Sequence, residues 1–225
     1  MKKSRKVHPA AAIFPMISGE AFNRLKEDIE ENGQHEPVVL WKGMLLDGRN
    51  RLRACDELGI EPSECELDDD VDPVAYVVSA NLHRRHLTPS QAAMCAAKLA
   101  NLKHGSNQHT KKNEETPNGV SIDDAAKLFN VGTRSIDRAR EVLSRGSKEV
   151  IEQCERGELP VSSAVKFIAS VTDKREQSQV AKGGAGEVRA AIANPPLSHF
   201  DRFRKLWDSA DSVGRAAIRA FILNS

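Results

Sequence analysis

Apolar positions in the first third of the chain alternate between helical and extended spacing. A stripe at helical spacing predicts a first helix that Ser18 caps and Gly33 ends; its members are Ala21, Phe22, Leu25 and Ile29. Short apolar runs at residues 38–41 and 44–46, separated by a Lys-Gly pair, predict two strands joined by a tight turn.

The next elements complete a small mixed unit. A helix is predicted from Arg49 to Leu58, with Gly59 as its stop, and an apolar run at residues 75–78 predicts a third strand. The strongly acidic stretch at residues 61–72 is expected to be exposed. Short strands mixed with helices predict a compact α+β unit over residues 7–87.

Beyond residue 87 the pattern becomes helical. Thr88, a proline and Gln91 form a capping-box start, and the helix that follows is predicted to run to about residue 102. Residues 104–119 carry almost no apolar side chains and predict a flexible linker. We expect a helical domain over residues 88–170 and a helical C-terminal region over residues 171–225. Further helices are expected at residues 147–155, 161–170 and 173–182, then a Gly-Gly break at 183–184 and a final pair of helices after Pro195-Pro196.

Residues 121–143 carry the clearest motif of the chain. Ser121 is expected to cap one helix, a turn follows at residues 130–132, and Thr133 is expected to cap the next helix. The apolar positions predict two inner faces that pack on each other: Ile122, Ala125, Ala126, Leu128 and Phe129 on the first helix, and Ile136, Ala139 and Val142 or Leu143 on the second. Two capped helices joined by a short turn are typical of a helix-turn-helix.

The second helix of this motif is expected to expose the side chains that a DNA-reading helix needs near its start. Arginines bind guanine edges or phosphates, and hydroxyls bind phosphates. Asp137 lies among them and would repel phosphate. The alternative is a helical hairpin whose basic face is only solvated. The candidate DNA-binding residues are Thr133, Arg134, Ser135, Arg138 and Arg140.

Composition narrows the function without deciding it. The net charge of the 225 residues is +1, so any anion binding must come from local charge separation. One such region is the stretch 81–113, which has no acidic residue and is either a track for phosphates or a solubilising surface. Its cationic residues are Arg84, Arg85, Lys98, Lys103, Lys111 and Lys112. Its histidines lack the spacing of a metal site, and no metal site is predicted.

Cysteines and hydropathy indicate the compartment. The thiols of Cys55, Cys65, Cys95 and Cys154 are far apart in sequence and form no Cys-x-x-Cys pair, so we expect them to be reduced. No long apolar run or signal sequence is recognisable, and neither secretion nor membrane spanning is expected. We expect a cytoplasmic protein.

Three arginines, Arg49, Arg51 and Arg53, stand at the start of the helix after Gly48. A helix N-terminus is electropositive, so these arginines add to the positive potential and require an anion nearby. That anion is either a phosphate or a set of carboxylates, for which the acidic stretch at residues 61–72 is the candidate source.

Three stretches resemble the N-terminal domain of the ParB family of partition proteins, which shares its core fold with sulfiredoxin. They are "NGQHEPVVL" at residues 32–40, "GRNRLRA" at 48–54 and "ANLHRRHLTPSQAA" at 80–93. The helix-turn-helix follows where the family has one, and the resemblance covers roughly residues 8 to 170. It implies a ParB/sulfiredoxin-like mixed-sheet domain followed by an all-helical DNA-binding domain.

The resemblance also implies a ligand. Several family members bind specific DNA through the helix-turn-helix and use the N-terminal boxes as a cytidine-triphosphate (CTP) switch that closes a dimer clamp. Carried over by position, the residues facing the phosphates of CTP with Mg²⁺ are Gly48, Arg49, Asn50, Arg51, Asn81 and Arg84.

The chain departs from the family at three positions in or beside this set. Arg49 replaces the usual Glu, Asn50 replaces the first arginine of the box, and Ala80 stands where the family has its acidic metal ligand. Magnesium needs a carboxylate beside the phosphates, so binding without hydrolysis is expected unless Asp47 substitutes. Sulfiredoxin chemistry is excluded, because its reactive cysteine would fall at Arg49.

The resemblance therefore implies a ParB-like DNA-binding protein, associated with the nucleoid or a plasmid, that acts in plasmid, phage or chromosome partition or in transcriptional regulation. Its expected partners are double-stranded DNA, a nucleoside triphosphate and a second copy of the chain as a homodimer. No catalytic residue is identified. The alternatives are a nuclease or nucleoside triphosphatase (a CTPase) on the same fold, and a protein-interaction module that binds no nucleotide.

Overall fold

The computed structural model of the chain describes residues 5–82, 87–105, 120–194, 204, 207–211 and 214–215. Arg84, Arg85, most of the predicted linker at 104–119 and most of the final pair of helices lie outside the described residues. Within the described residues, no helix is both long enough and apolar enough to span a membrane.

The first part of the chain is an α+β unit, as predicted. After a 3-10 turn at Pro9–Ala12, its elements are α1 (Gly19–Asn32), β1 (Val38–Trp41), β2 (Met44–Asp47), α2 (Arg49–Leu58), β3 (Glu64–Glu66) and α3 (Pro73–Leu82). The strands form one sheet in the order β2-β1-β3, in which β1 pairs antiparallel with β2 and parallel with β3. The predicted α1, β1, β2 and α2 are confirmed, although the side chain of Ser18 makes no capping hydrogen bond.

The predicted third strand at residues 75–78 is wrong, because this run lies within helix α3. Asp72 explains the difference: its Oδ1 accepts hydrogen bonds from the N–H groups of Val74 at 2.8 Å and Ala75 at 3.3 Å. Pro73 in the first turn supports the helix start, so the cap outweighs the strand preference of the valines. The third strand lies instead in the acidic stretch, at the edge of the sheet, where acidic side chains remain partly exposed.

The rest of the described chain is helical. Its helices are α4 (Pro89–Gly105), α5 (Ile122–Leu128), α6 (Thr133–Arg145), α7 (Lys148–Arg156), α8 (Val161–Ser170), α9 (Lys174–Lys182) and α10 (Ala185–Ala193). The capping box of α4 is confirmed: Gln91 N–H donates to Thr88 Oγ1 at 3.3 Å, and Thr88 N–H donates to Gln91 Oε1 at 3.0 Å. The predicted break at the glycine pair is also confirmed, but α10 beyond it was not predicted.

One hydrophobic core joins the sheet to the helices. Helix α4 is rich in alanine, and its buried side chains permit neighbouring helices to approach closely. Residues of the α+β unit pack into the same core as those of α6 and α8; they include Phe14, Leu46, Val77, Ile136, Ala139, Val142, Phe167 and Ile168. A separate small cluster holds α1 against α2 through Phe22, Ile29, Ala54 and Cys55.

Gln177 in α9 is a fully buried polar side chain that ties three helices together. Its Oε1 accepts from the N–H of Ser147 at 2.8 Å, at the start of α7. Its Nε2 donates to the carbonyl of Val171 at 2.7 Å, at the end of α8. Both partners are backbone groups at helix ends, which have no partner within their own helix.

We predict that Gln177→Leu lowers the free energy of unfolding by about 2–4 kcal/mol, because it leaves two buried backbone groups without partners. Gln179→Leu, an exposed position on the same helix, should change it by less than ~0.5 kcal/mol. Urea unfolding monitored by circular dichroism measures both variants, and equal losses would contradict the structural role of Gln177.

Candidate functional site

A cavity of about 240 Å³ opens at the start of α2. Strand β2, helix α3, the segment at residues 11–17 and Leu25 of α1 form the rest of its wall. Five of the six predicted phosphate-binding residues line it, namely Gly48, Arg49, Asn50, Arg51 and Asn81. Ala80 and Asp47 line it as well. The structure thus brings together residues from the end of β2, the start of α2 and the end of α3.

Gly48 gives the cavity its shape. Its φ of 89° lies in the left-handed region, and its carbonyl accepts the first helical hydrogen bond, from Leu52 N–H at 2.8 Å. A Cβ at this position would lie 3.1 Å from the Cα of Val38, so the strand passes too close for a side chain. The N-cap therefore carries no side chain, and the electropositive end of α2 borders the cavity.

Acidic side chains pair with Arg51 and Arg53. Arg51 donates to Asp47 at 3.1 Å and to the Pro37 carbonyl at 3.1 Å, and it pairs with Glu36 at 3.3 Å. Arg53 pairs with Glu57 at 3.0 Å, and its guanidinium lies over the ring of Phe22. The carboxylates expected from sequence are thus present, but they do not come from the stretch at residues 61–72.

Arg49 and Asn50 hold the chain segment that precedes α1. Arg49 donates to the carbonyl of Phe14, and Asn50 Oδ1 accepts from the N–H of Ile17 at 3.2 Å. Lys98 of α4 donates to the carbonyl of Ala12 at 3.1 Å from the other side. We define residues 12–17 as the tethered segment, because three side chains fix its backbone.

The ring of Phe14 packs the tethered segment against the end of α5. Its centroid lies 5.9 Å from that of Phe129, the residue that ends α5, and both side chains are buried. The wall of the cavity is thus in direct contact with the C-terminal end of α5. The role of this segment was missed at the sequence level; its signal was the apolar run at residues 10–14 before Pro15.

The acidic side of the cavity is formed by Asp47. Its Oδ1 accepts from Asn81 Nδ2 at 3.3 Å, and its Oδ2 accepts from Arg51. Asn81 also donates to the carbonyl of Val77 at 3.0 Å, so its side chain is fixed. Among the described residues no three histidines, cysteines or carboxylates cluster. The lining residues do not fit a magnesium site of their own, because Asp47 is the one carboxylate there.

Helices α5 and α6 have the predicted arrangement of two consecutive helices joined by a short turn. Ser121 Oγ accepts from Asp124 N–H at 3.1 Å, which confirms the cap of α5. Asn130 turns the corner with a left-handed φ of 50°. Two details of the prediction are wrong: Gly132, rather than Thr133, is the N-cap of α6, and Leu128 is 39% exposed rather than buried. Leu128 lies outside the apolar face that includes Ala125, Ala126 and Phe129.

The exposed side of α6 is cationic. Thr133, Arg134, Arg138 and Arg140 are exposed and Ser135 is half-buried, while Ile136, Ala139 and Val142 fill the core. In the described part of the chain, no carboxylate forms a salt bridge with the three arginines of this set. Arg145 at the other end of α6 differs, because it pairs with Glu141 at 2.5 Å.

Comparison with known proteins yields structural likenesses only. No protein-family model and no curated protein matches the chain. A structure of a Pnob8-like ParB-N domain is 17% identical with a TM-score of 0.44, covering 86% of this chain and 90% of its own.

Two structures of C-terminally truncated ParB from Caulobacter crescentus are also similar. The complex with the centromeric parS site is 16% identical with a TM-score of 0.35, covering 86% of this chain and 94% of its own. The complex with CTP-gamma-S is 18% identical with a TM-score of 0.27, covering 73% and 87%. All three belong to the family that the sequence resembles. At these TM-scores the likeness carries no argument, and the function is inferred from the geometry of this chain.

We predict that Gly48→Ala lowers the free energy of unfolding by about 2–4 kcal/mol, because it adds a close contact with Val38 to the strain of a left-handed alanine. Gly59→Ala is the matched control: its φ of 72° is similar, but nothing lies within 4 Å of the added Cβ. It should cost about 1–2 kcal/mol. Urea unfolding compares the two variants. Equal losses of unfolding free energy would show that Val38 moves away from the added Cβ without a free-energy cost.

Proposed function

We propose that this chain is a ParB-like DNA-binding protein that acts in partition or transcriptional control and whose DNA binding responds to CTP. The observation that carries the proposal is the exposed face of α6, where Arg134, Arg138 and Arg140 lie without carboxylate partners in the described part of the chain. A duplex supplies the phosphates and base edges that such a face requires.

The placement of these side chains favours base reading over non-specific attraction. Arg134 and Arg138 are one helical turn apart and project from one side of α6, near its N-terminal end. Three buried residues hold the opposite side of α6 in the core, so the helix is presented as a rigid element. Asp137 lies between the arginines and would repel phosphate, which restricts how the helix enters a groove.

The cavity supports the nucleotide part of the proposal. It combines a helix N-terminus, two arginines and two asparagines, which are suitable groups for a triphosphate. Asp47 and Glu36 already hold the guanidinium of Arg51, so a triphosphate that binds Arg51 has to compete with these two carboxylates.

A ligand that draws on Arg49 and Asn50 competes with the tethered segment for both side chains. Because Phe14 in that segment contacts Phe129, the competition would reach the helix-turn-helix through one buried contact. This route is the basis on which we expect CTP to alter DNA binding. With Ala80 in place of an acidic ligand, we expect binding without metal-dependent hydrolysis.

We predict that Arg134→Ala and Arg138→Ala each weaken retention of a defined duplex roughly tenfold or more, since a lost base contact costs about 1–3 kcal/mol. Arg24→Ala is the control, because it removes the same charge from an exposed position on α1, in the α+β unit. It should weaken retention by less than about threefold. Electrophoretic mobility shifts measure all three variants.

The result that would contradict this prediction is equal behaviour of the three variants, since it would mean that the chain attracts DNA only through its net charge. Full retention by all of them would reject α6 as the reader. Nuclease activity that survives Arg134→Ala but not Arg51→Ala would instead favour the enzyme alternative.

We predict that Ala80→Glu creates a second carboxylate beside Asp47 and raises the affinity for CTP in the presence of Mg²⁺ by on the order of tenfold. Ala80→Gln is the control of equal size without charge. Isothermal titration with CTP, with and without Mg²⁺, separates the effects of charge and volume. Identical affinities of the two variants in Mg²⁺ would place the phosphates elsewhere.

A further inference from the structure

An open groove between α7 and α9 is lined by four cationic side chains and one carboxylate. The cations are Lys148, Lys174, Arg175 and Lys182, and the carboxylate is Glu149. We define these residues as the α7–α9 groove. Its other lining residues are glycine, serine and glutamine, so no apolar side chain contributes. With a net charge of +1 for the whole chain, this is a marked local separation of charge.

Most of the positive charge in the groove is not balanced locally. Arg175 and Lys182 are exposed and form no salt bridge within the described part of the chain, and Lys148 lies 3.7 Å from Glu152 while 85% exposed. Glu149 offsets one charge: hydrogen bonds from its own backbone N–H and from Ser178 lower its pKa, so it is ionised at neutral pH. The groove therefore retains a positive excess.

The α7–α9 groove adjoins the C-terminal end of α6. Lys174 Nζ donates to the carbonyl of Ser144 at 3.1 Å, in the last turn of α6, and Gly146 belongs to the lining. Helix α6 has 13 residues and is therefore about 20 Å long. The major groove of DNA is about 12 Å wide. When the first turns of α6 contact base edges, its last turn lies beyond the groove, beside the bordering phosphates.

We propose that the α7–α9 groove binds the phosphate backbone of the duplex that α6 reads. This inference rests on the proposed function, because it assumes that α6 contacts DNA. The chemistry favours a nucleic-acid backbone over a membrane surface, since the lining offers no apolar side chain for insertion into lipid. An open, solvated surface with dispersed cations fits a row of phosphates rather than one small anion.

The test uses the full chain and a short random-sequence DNA duplex titrated over a range of salt concentrations. The double variant Arg175→Ala/Lys182→Ala removes two exposed cations that form no salt bridge among the described residues; Lys174 is kept because of its bond to Ser144. We expect the slope of log affinity against log salt to decrease by about 2. Affinity near 0.1 M salt should fall roughly ten- to fiftyfold.

Lys6→Ala/Arg24→Ala is the matched control, because it removes two exposed cations of the α+β unit that form no salt bridge among the described residues. It should leave the salt slope unchanged. An unchanged slope in the α7–α9 variant, with binding still lost in Arg134→Ala/Arg138→Ala, would overturn the groove while the proposed function stands. Failure of the wild-type chain to bind any duplex would overturn both.

A second readout separates backbone contact from base reading. The α7–α9 variant should weaken binding equally for all sequences, whereas the Arg134 and Arg138 variants should also relax sequence preference. Loss of binding to phosphatidylserine vesicles in the α7–α9 variant, with duplex affinity unchanged, would identify the groove as a lipid site and reject the proposal. Circular dichroism confirms that the variants are folded.

Discussion

The fixation of the tethered segment is the interaction on which the rest of the structure depends. Arg49 and Asn50 bind its backbone from the cavity side, Lys98 binds it from α4, and the buried ring of Phe14 packs on Phe129. A short stretch of chain without regular structure is thereby ordered by side chains, which offset the entropy lost in fixing it. Through these contacts the segment connects the wall of the cavity to Phe129, at the end of α5.

Electrostatics distinguishes the two candidate binding surfaces. At the cavity, Arg51 is held by Asp47 and Glu36, and the remaining polar side chains bind parts of the fold. At α6, the arginines near the start of the helix have no carboxylate partner within the described residues. A phosphate can therefore bind the arginines of α6 without breaking a salt bridge. At the cavity, a phosphate has to replace hydrogen bonds and salt bridges that the polar side chains already make within the fold.

The sequence predicted those elements whose signals are local. The capping boxes at Thr88 and Ser121 located two helices, and the apolar stripe of α6 identified its buried face. The strand prediction for residues 75–78 failed because the cap supplied by Asp72 outweighs the preference of β-branched residues for strands. Contacts between distant residues, such as Arg51 with Glu36 or Phe14 with Phe129, leave no periodic signal in the sequence. The acidic partners of the arginines were therefore found only in the structure, and so was the tethered segment.

The central claim is that one surface reads a duplex and that occupancy of the cavity changes this reading through Phe14. Selection of bound duplexes from a random-sequence library, with and without each nucleoside triphosphate, tests it most directly. The account predicts enrichment of a common sequence and a change in the retained amount with CTP that the other triphosphates do not produce. A bound pool with no enriched sequence, or one identical with and without CTP, would contradict it.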